Sequence, residues 1–271
     1  MAAGATMKLL DHRQDGAVVR EIRLAAPKGP NVFSRALIAS LSRALDDAVA
    51  APAVAALVIS HEGRAFCAGT DLAELLDLHR EPASLRAFLA SLVQLLRAVE
   101  GCRIPTIAAV DGAAVGGGFE LALACDIRIM APAAWIALPE TGLGTIPGGG
   151  GVQALTRFVG RSRALDMILT GRRLSAADCA DAGLARLAGG GSAREDALDL
   201  ARRLAQGPAH ALSAAKAIVL GSETMAAEEL DRMALEGMVA TLTGPEGTEG
   251  LRAVAGKRAP DFIRARGASR C

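Results

Sequence analysis

Three consecutive glycines, Gly116 to Gly118, precede Glu120 at the start of a predicted helix over residues 117–125. Glycine destabilises a helix by about 1 kcal/mol per residue, so three together need a reason. The free amides at a helix start favour an anion or a developing oxyanion. Gly117 and Glu120 are three residues apart and share one helical face, so one turn can offer an N–H donor and a carboxylate to one cavity. The alternative is that the glycines only permit tight helix packing and that Glu120 is solvated.

A second acid, Glu140, stands in a loop of glycine, proline and apolar residues, and the glycine run Gly148–Gly151 follows this loop. Poor solvation raises the pKa of a carboxyl group and lets it hold a proton near neutral pH. We therefore expect Glu140 to act as an acid where its loop is shielded from water. The alternative is a surface loop with an ordinary solvated glutamate. The glycine run is predicted to begin another helix.

A third segment, residues 63–72 (GRAFCAGTDL), directly follows a predicted buried strand. The small residues Ala68 and Gly69 allow a ligand to approach the backbone closely. Asp71 is predicted to be the N-cap of the next helix, which would turn nearby amides outward. An ordinary strand, glycine turn and helix is the alternative. Cys67, within this segment, is predicted to be a small thiol that faces the core.

Four predicted strands and the helices between them must position these three segments. Apolar patterning predicts the strands, which cover residues 17–24, 54–60, 105–110 and 127–130. Helices are predicted over residues 33–50 and 71–99, and the second of these breaks near Pro82. Alternation of strand and helix predicts an α/β fold with a mostly parallel sheet.

From about residue 150 onward the pattern is almost entirely helical. Helices are predicted over residues 150–158, 162–170, 176–182, 193–206, 210–219, 224–240 and 246–255. The glycines at positions 189 to 191 are the clearest linker. We therefore predict two regions, a core over residues 1–191 that carries the site and a helical region over residues 192–271.

Composition excludes several classes of function. The chain has 271 residues and a formal net charge of +1, and only 3% of its residues are aromatic, with no tyrosine. This gives no electrostatic or stacking basis for binding nucleic acid. No apolar run reaches the length of a membrane span. Five scattered cysteines without a CxxC pair favour a reduced, cytoplasmic protein, and four scattered histidines are expected to be structural or exposed. Arginine greatly outnumbers lysine, which suggests a bacterial origin.

Taken together and in order, the motifs resemble the crotonase, or enoyl-CoA hydratase/isomerase, superfamily. The resemblance begins at Pro27–Asn31, includes GRAFCAGTDL, GGGFELALACD and PETGLGTIPGGGG, and ends with the tail over residues 249–262. It implies a crotonase-like α/β fold of stacked ββα units with a C-terminal helical region that mediates trimerisation. It also implies an acyl-CoA thioester substrate and a homotrimer or a hexamer made of two trimers.

The resemblance also implies a role for each matching residue. The peptide N–H groups of Thr70 and Gly117 match an oxyanion hole that polarises the thioester carbonyl. Glu120 matches a residue that holds and activates water, and Glu140 matches the donor of the α-proton. Relatives usually have alanine at position 70, and the residues around Glu140 also depart from the common pattern at Leu138.

Other matches concern the coenzyme A portion of the substrate. Lys28 and Arg64 match basic residues that meet its phosphates, and the backbone of Ala68 matches a contact with adenine. Gly69 and Asp71 belong to the same binding segment. Gly148 matches an amide that supports the catalytic acid or the water, and Lys257 matches a basic residue that acts from a neighbouring subunit.

Because both glutamates are present, the resemblance is greatest to enoyl-CoA hydratases. Adding water to a conjugated double bond needs a base for the water and an acid for the α-carbon. The reaction requires no metal and no redox cofactor, since coenzyme A is part of the substrate. Two alternatives stay open on the same scaffold, an enoyl-CoA isomerase and a specialised hydroxyacyl-CoA dehydratase. A non-catalytic acyl-CoA-binding protein is a third.

Overall fold

The structure is a computed structural model that describes residues 6–26 and 28–267. Two of the residues discussed above, Pro27 and Cys271, lie outside this part of the chain. The strands are β1 (Thr6–Gln14), β2 (Ala17–Ala25), β3 (Val54–His61), β4 (Ala65–Cys67), β5 (Thr106–Val110), β6 (Ala113–Val115), β7 (Ile127–Met130), β8 (Trp135–Ala137), β9 (Leu174–Ser175) and β10 (Arg186–Leu187). The helices are α1 (Arg35–Ala50), α2 (Leu72–Leu78), α3 (Pro82–Glu100), α4 (Gly117–Ala124), α5 (Gly151–Thr170), α6 (Ala176–Asp181), α7 (Ala193–Ala205), α8 (Ala209–Gly221), α9 (Ala227–Thr243), α10 (Pro245–Ala255) and α11 (Phe262–Gly267).

The larger of the two sheets has the strand order β1-β2-β3-β5-β7-β10. Every neighbouring pair in it is parallel except β1 and β2, which form an antiparallel hairpin. Its central strand β3 is buried along its whole length, as expected for a parallel strand covered on both faces. The predicted α/β class is therefore confirmed, and the prediction of a mostly parallel sheet holds for this layer.

The hairpin strand β1 is absent from the sequence-based prediction. Its turn consists of Asp15 and Gly16, which have φ values of 47° and 86°. Two consecutive positive φ angles are what a tight hairpin turn requires, and Asp-Gly is a preferred sequence for it. The signal was therefore present in the sequence, although the strand itself is at the sheet edge and mostly exposed.

The smaller sheet has the order β4-β6-β8-β9 and explains the stacking of the ββα units. In successive units the first strand joins the large sheet, the second joins the small sheet, and a helix follows. The series runs β3-β4-α2, then β5-β6-α4, then β7-β8-α5. Each helix therefore begins after a strand of the small sheet, and the starts of α2 and α4 come to lie side by side.

The helices of the second half form mostly where they are predicted. The two helices predicted over residues 150–158 and 162–170 are one element, α5, with a break at Gly160, where φ is 76° and ψ is 161°. Helix α7 packs across β2, β3, β5 and β7 of the large sheet. The predicted regional division at residue 191 therefore falls immediately before a helix that covers the core sheet, and the division itself stays a prediction.

One described helix, α3, is long and apolar enough to cross a membrane by length and composition alone. Helix α3 packs against the rest of the chain through one apolar face. Its side chains Phe88, Leu92, Leu95, Leu96 and Val99 are buried, and the helix contacts α1 and α4.

Close backbone contact between neighbouring units depends on two glycines. A Cβ added at Gly118 would lie 2.1 Å from the carbonyl oxygen of Cys67, and one added at Gly112 would lie 2.2 Å from that of Arg64. Both obstacles are backbone atoms, so no side-chain rotation can relieve the overlap. These glycines therefore let α4 and β6 approach the strand–turn segment that contains Cys67.

We expect Gly118→Ala to lower the free energy of unfolding by about 1–3 kcal/mol, because the new methyl group forces two backbone segments apart. Urea denaturation measures the change. Gly142→Ala is the control, since nothing lies within 4 Å of a Cβ at that position, and its effect should be within about 0.5 kcal/mol. Equal losses for the two variants would contradict the packing argument.

Candidate functional site

The first wall of the site is the start of α4. Gly116 has a φ of 54°, and its N–H donates to the carbonyl of Ala137 at 2.9 Å. Gly117 is the first helical residue, and the N–H of Glu120 closes the first turn by donating to the carbonyl of Gly116 at 3.0 Å. Within the described residues the N–H of Gly117 donates to no acceptor. It is the free donor expected at a helix start.

The opposite wall is the segment around Thr70. The N–H of Phe33 donates to the carbonyl of Gly69 at 2.8 Å, and the N–H of Asp71 donates to the carbonyl of Phe33 at 3.0 Å. In this parallel bridge Phe33 bonds to both neighbours of Thr70, so the N–H of Thr70 points to the other side. That N–H has no acceptor in the part of the chain that the structure describes.

The two free amides belong to segments that touch. Gly69 has a φ of 94°, and a Cβ there would lie 3.2 Å from the carbonyl oxygen of Val115 and 3.5 Å from the nitrogen of Gly117. Only glycine permits this approach without strain. The structure thus brings together Thr70 and Gly117, the two backbone donors that the sequence predicted as one site.

The side chain of Asn31, which is 1% exposed, fixes the Thr70 segment. Its Nδ2 donates to the carbonyls of Ala65 and Phe66, at 3.0 and 3.1 Å, and its Oδ1 accepts from the N–H of Ala26. Its own carbonyl accepts from the N–H of Ala68 at 2.8 Å. The sequence showed Asn31 only as the end of a motif, and its positioning role becomes visible in the contacts.

Glu120 lies in the first turn of α4 and is buried, with 4% of its surface exposed. Its Oε1 accepts from the N–H groups of Gly149 and Gly151, at 2.7 and 2.8 Å. Burial raises the pKa of this carboxyl group, and the two hydrogen bonds partly oppose the rise. The alternative of a solvated Glu120 is therefore wrong.

The amides that hold Glu120 come from a glycine run whose register the sequence did not fix. The resemblance assigned a supporting amide to Gly148, but the bonds to Glu120 come from Gly149 and Gly151. A Cβ at either position would lie 2.6–2.8 Å from an oxygen of that carboxylate. The two residues that sequence reasoning missed are thus glycines because the carboxylate occupies the space of a side chain.

Glu140 begins the 3₁₀ turn Glu140–Leu143 and approaches the same centre. Its Oε1 lies 2.6 Å from the Cβ position of Gly116, and its Oε2 is buried without a hydrogen-bond partner in the described residues. Burial, together with the charge of Glu120, raises the pKa of Glu140 to about 6. The predicted poorly solvated acid is therefore present, and it lies against Gly116, which directly precedes the helix that carries Glu120.

A buried arginine anchors the other end of α4. The Arg128 guanidinium donates to the carbonyls of Ala122, Leu123 and Cys125, which end the helix, at 2.6–3.2 Å. It also lies over the ring of Phe158 on α5. A cation at a helix C-terminus is favourable for the helix dipole and satisfies carbonyls that lack intrahelical partners. Sequence reasoning missed this residue.

Two basic residues predicted to contact coenzyme A, Lys28 and Arg64, lie at the carboxyl ends of neighbouring strands of the large sheet. Lys28 follows β2 and Arg64 follows β3, and these parallel strands pair up to Leu24 and His61. Both basic side chains are exposed, as is Ala68. The carboxylate of Asp71 accepts from the N–H of Ala73 at 2.9 Å, so the predicted N-cap of α2 is confirmed.

Lys257 lies elsewhere in the chain. It is exposed at the end of α10, and the adjoining α11 places Ile263 against Gly16, in the hairpin turn. That turn is at the opposite end of β2 from the loop that contains Lys28. Within one chain Lys257 is thus remote from the site, and its assignment to a neighbour's site stays a prediction.

Other polar groups near the site have structural surroundings. Cys67 is fully buried, which raises the pKa of its thiol to about 12, so it faces the core as predicted. The Nε2 of His61 accepts from the N–H of Asp111 at 3.0 Å. Across residues 6–26 and 28–267, no cluster of three or more His, Cys, Asp or Glu side chains has the arrangement of a metal site.

Comparison with known proteins identifies the family of this chain. The family model described as enoyl-CoA hydratase/isomerase matches residues 14–265. The chain belongs to the enoyl-CoA hydratase/isomerase family. The resemblance inferred from the motifs is thus confirmed, and the crotonase-like fold is confirmed by a solved relative. The crystal structure of an enoyl-CoA hydratase from Bacillus anthracis aligns with a TM-score of 0.87 and 31% identity, over 96% of this chain and 99% of that one.

Two curated members of the family illustrate its range. The chain is 38% identical to a probable mitochondrial enoyl-CoA hydratase of Arabidopsis thaliana, over 89% of this chain and 80% of the relative. It is 37% identical to the mitochondrial methylglutaconyl-CoA hydratase of Mus musculus, over 93% of this chain and 81% of the relative.

The raised pKa of Glu140 predicts a pH-dependent cost to stability. Its carboxyl group binds its proton more tightly in the folded chain than in the unfolded chain, so wild-type stability falls as pH rises from about 4.5 to about 6. Glu140→Gln lacks this loss. The variant should therefore gain stability relative to wild type across that interval and keep the gain at higher pH. Urea denaturation between pH 4 and 8 measures the difference, and a constant difference over that range would contradict a perturbed carboxyl group.

Proposed function

We propose that the protein is an enoyl-CoA hydratase, a hydro-lyase that adds water syn to a 2-trans-enoyl-CoA and gives a 3-hydroxyacyl-CoA. The observation that carries the proposal is the coupled pair Glu120 and Glu140 beside two free backbone amides. Relatives named as hydratases support it. Fatty acid β-oxidation is the metabolic setting that this reaction suggests.

The two amides supply the electrostatic part of the reaction. We assign the N–H groups of Thr70 and Gly117 to the thioester carbonyl oxygen, which becomes an enolate oxygen as water adds. Donors fixed by α4 and by the Phe33 bridge need no reorganisation when charge develops there. Loss of one such donor typically costs about 3–4 kcal/mol in the barrier.

The two acids supply the proton transfers. Glu120 accepts a proton from water as the water oxygen bonds to the β-carbon, and Glu140 gives its proton to the α-carbon. Dehydration reverses both steps. A carboxyl group with a pKa near 6 suits Glu140 to this role, because it exchanges a proton easily around neutral pH. The hydrogen bonds from the N–H groups of Gly149 and Gly151 hold the Glu120 carboxylate in one orientation during the proton transfer.

The coenzyme A portion is assigned to the exposed edge beside these groups. Lys28 and Arg64 would meet its phosphates, and the backbone of Ala68 would contact its adenine. Gly69 shapes the same loop, and Asp71 holds the start of α2 beside it. We keep the assignment of the Gly148 amide to the reacting water, because the amides that bond Glu120 are those of Gly149 and Gly151. No redox cofactor is needed, because hydration transfers no electrons.

The assignment is tested by following the ultraviolet absorbance of crotonyl-CoA. We expect rapid loss of the conjugated enoyl signal with wild type, and rates about 10²–10⁴-fold lower with Glu120→Gln and with Glu140→Gln. Ester binding, measured by calorimetry, should persist in both variants. Binding without turnover by wild type, on short, long and branched enoyl-CoAs, would contradict a hydratase and favour a non-catalytic acyl-CoA-binding protein.

Product analysis separates the alternatives on the same scaffold. An isomerase moves a double bond of a 3-enoyl-CoA without consuming water, and Glu140 alone can serve it. A dehydratase for a specialised hydroxyacyl-CoA would prefer that substrate to crotonyl-CoA. The mouse relative, whose name specifies methylglutaconyl-CoA, is the reason to include branched, acidic enoyl-CoAs in the panel.

We also propose that the chain assembles as a homotrimer, or as a hexamer of two trimers, through its C-terminal helices. Helix α9 carries an exposed apolar stripe at helical spacing, made of Leu235, Met238, Val239 and Leu242, each at least 46% exposed. A contiguous apolar patch of this kind marks a surface that a partner covers. Such an assembly would bring a neighbour's Lys257 to the coenzyme A site.

The double variant Leu235→Glu/Met238→Glu should shift the molar mass, measured by light scattering during gel filtration, from that of a trimer or hexamer toward that of one chain. The stripe is exposed within one chain, so the fold should survive, and circular dichroism checks this. Glu229→Lys is the control, because Glu229 is exposed on the same helix away from the stripe, and it should leave the mass unchanged. A wild-type protein that runs as a single chain would contradict the proposal.

The compartment is proposed as the cytoplasm of a bacterium. The bacterial relative of known structure and the composition of the chain support this. Other relatives are named as mitochondrial proteins.

A further inference from the structure

Glu120 is also reached from a second side. A narrow cavity of about 20 Å³ touches its carboxyl group and opens between the C-terminal end of α3 and the start of α5. We name it the rear cavity. Its lining includes Glu120, Leu96, Leu123, Gln153, Ala154 and Arg157. None of Thr70, Gly117 and Glu140 lines it, so it is separate from the face where the thioester is assigned.

The two oxygens of Glu120 have different surroundings. Oε1 is bonded to the amides of Gly149 and Gly151. Oε2 lies 2.6 Å from the Cβ position of Gly149, which in turn lies 2.5 Å from Cδ1 of Leu96. Because Leu96 and Gly149 both line the rear cavity, the carboxyl group is within reach of a molecule there.

The rear cavity is bordered by charged side chains that form ion pairs. Arg157 bonds Glu100 on α3 at 3.3 Å and Glu223 after α8 at 2.9 Å, while Arg97 bonds Glu100 at 3.4 Å. These side chains are 30–68% exposed, so the mouth meets bulk solvent. Leu96 and Leu123 add apolar side chains to the lining.

The dimensions and chemistry of the rear cavity fit water. A cavity needs about 10–15 Å³ and two or more polar partners to hold one water molecule. Glu120, Gly149, Gly150 and Gln153 line the cavity and carry polar groups that can serve as such partners. The space is too small for any organic ligand.

We propose that the rear cavity is a path for water between bulk solvent and Glu120 that stays open while acyl-CoA occupies the front of the site. The inference rests on the proposed hydratase function. Each hydration consumes one water molecule, and each dehydration forms one from the hydroxyl group of the substrate and the proton of Glu120. A bound thioester blocks the front, so a rear path lets water change places during a single residence of the substrate.

Oxygen isotope exchange tests the path. The substrate is 3-hydroxybutyryl-CoA carrying ¹⁸O in its hydroxyl group, held at equilibrium with crotonyl-CoA in ordinary water. Two rates are compared, the loss of ¹⁸O from the hydroxy ester and the interchange of ¹⁴C-labelled acyl groups between the two ester pools. With a rear path, water leaves and is replaced before crotonyl-CoA dissociates, so ¹⁸O loss should exceed pool interchange at least twofold.

Plugging variants assign the effect to this cavity. Ala154→Leu and Gln153→Trp each add bulk to its lining, and the second changes an exposed residue that tolerates a large side chain. In both, the ratio of ¹⁸O loss to pool interchange should fall to about one. Ala154→Ser keeps the volume and should keep the wild-type ratio. Because the readout is a ratio, a general loss of activity does not move it.

A wild-type ratio of one or less would overturn the proposal, because water would then leave only with the ester. A high ratio that both plugging variants retain would also overturn it, since water would use another route. Absence of any pool interchange in wild type would instead refute the hydratase function itself.

Discussion

A buried carboxylate bonded by two peptide N–H groups is the interaction on which the rest of the site depends. Glu120 extends from α4, and its bonds to Gly149 and Gly151 tie the start of α5 to that helix. The loop between β8 and α5 is thereby closed over α4, and Glu140 lies within this loop. Removing an ionisable group from water is unfavourable, so the sequence must supply main-chain donors and leave out side chains around it.

The same helix organises charge at both of its ends. Its N-terminal amide faces the place assigned to an oxyanion, and its C-terminal carbonyls accept from the buried guanidinium of Arg128. The short helix α4 therefore has a bonded partner, Arg128, at its C-terminal end and a free N–H donor, that of Gly117, at its N-terminal end. Asn31 does the corresponding work for the Thr70 segment by bonding three backbone groups at once.

The sequence was sufficient to predict the elements that show a periodic hydrophobic pattern or a continuous apolar run. Strands β3 and β5 are largely apolar runs, β2 alternates weakly, and the helices have amphipathic spacing, so these elements were predicted. The strands of the small sheet have two or three residues, which is too short for any period to be visible, and they exist because the larger strands bring them together.

For the site, the sequence predicted the types of the functional residues better than it predicted which backbone groups contact them. Gly117 and Glu120 were predicted to share one cavity from the chemistry of a helix start, whereas Thr70 and Glu140 were joined to them through the resemblance to the crotonase superfamily. The donors to Glu120 were displaced from Gly148 to Gly149 and Gly151, because a run of four glycines contains no side chain to mark which amide points inward. Arg128 and Asn31 were missed since a buried polar side chain that bonds carbonyls shows no pattern in sequence.

The bridge that orients the Thr70 amide pairs Phe33, which precedes β3 in the sequence, with Thr70, which follows β4. The second amide, that of Gly117, follows β6. Both donors therefore depend on contacts between segments that are far apart in the sequence and are joined through parallel crossovers. The site exists only where this long-range pairing is complete, which is a property of the folded chain. A ligand for the finished site would therefore stabilise the native state alone, by mass action, and the free energy of unfolding would rise with the logarithm of the ligand concentration once that exceeds Kd.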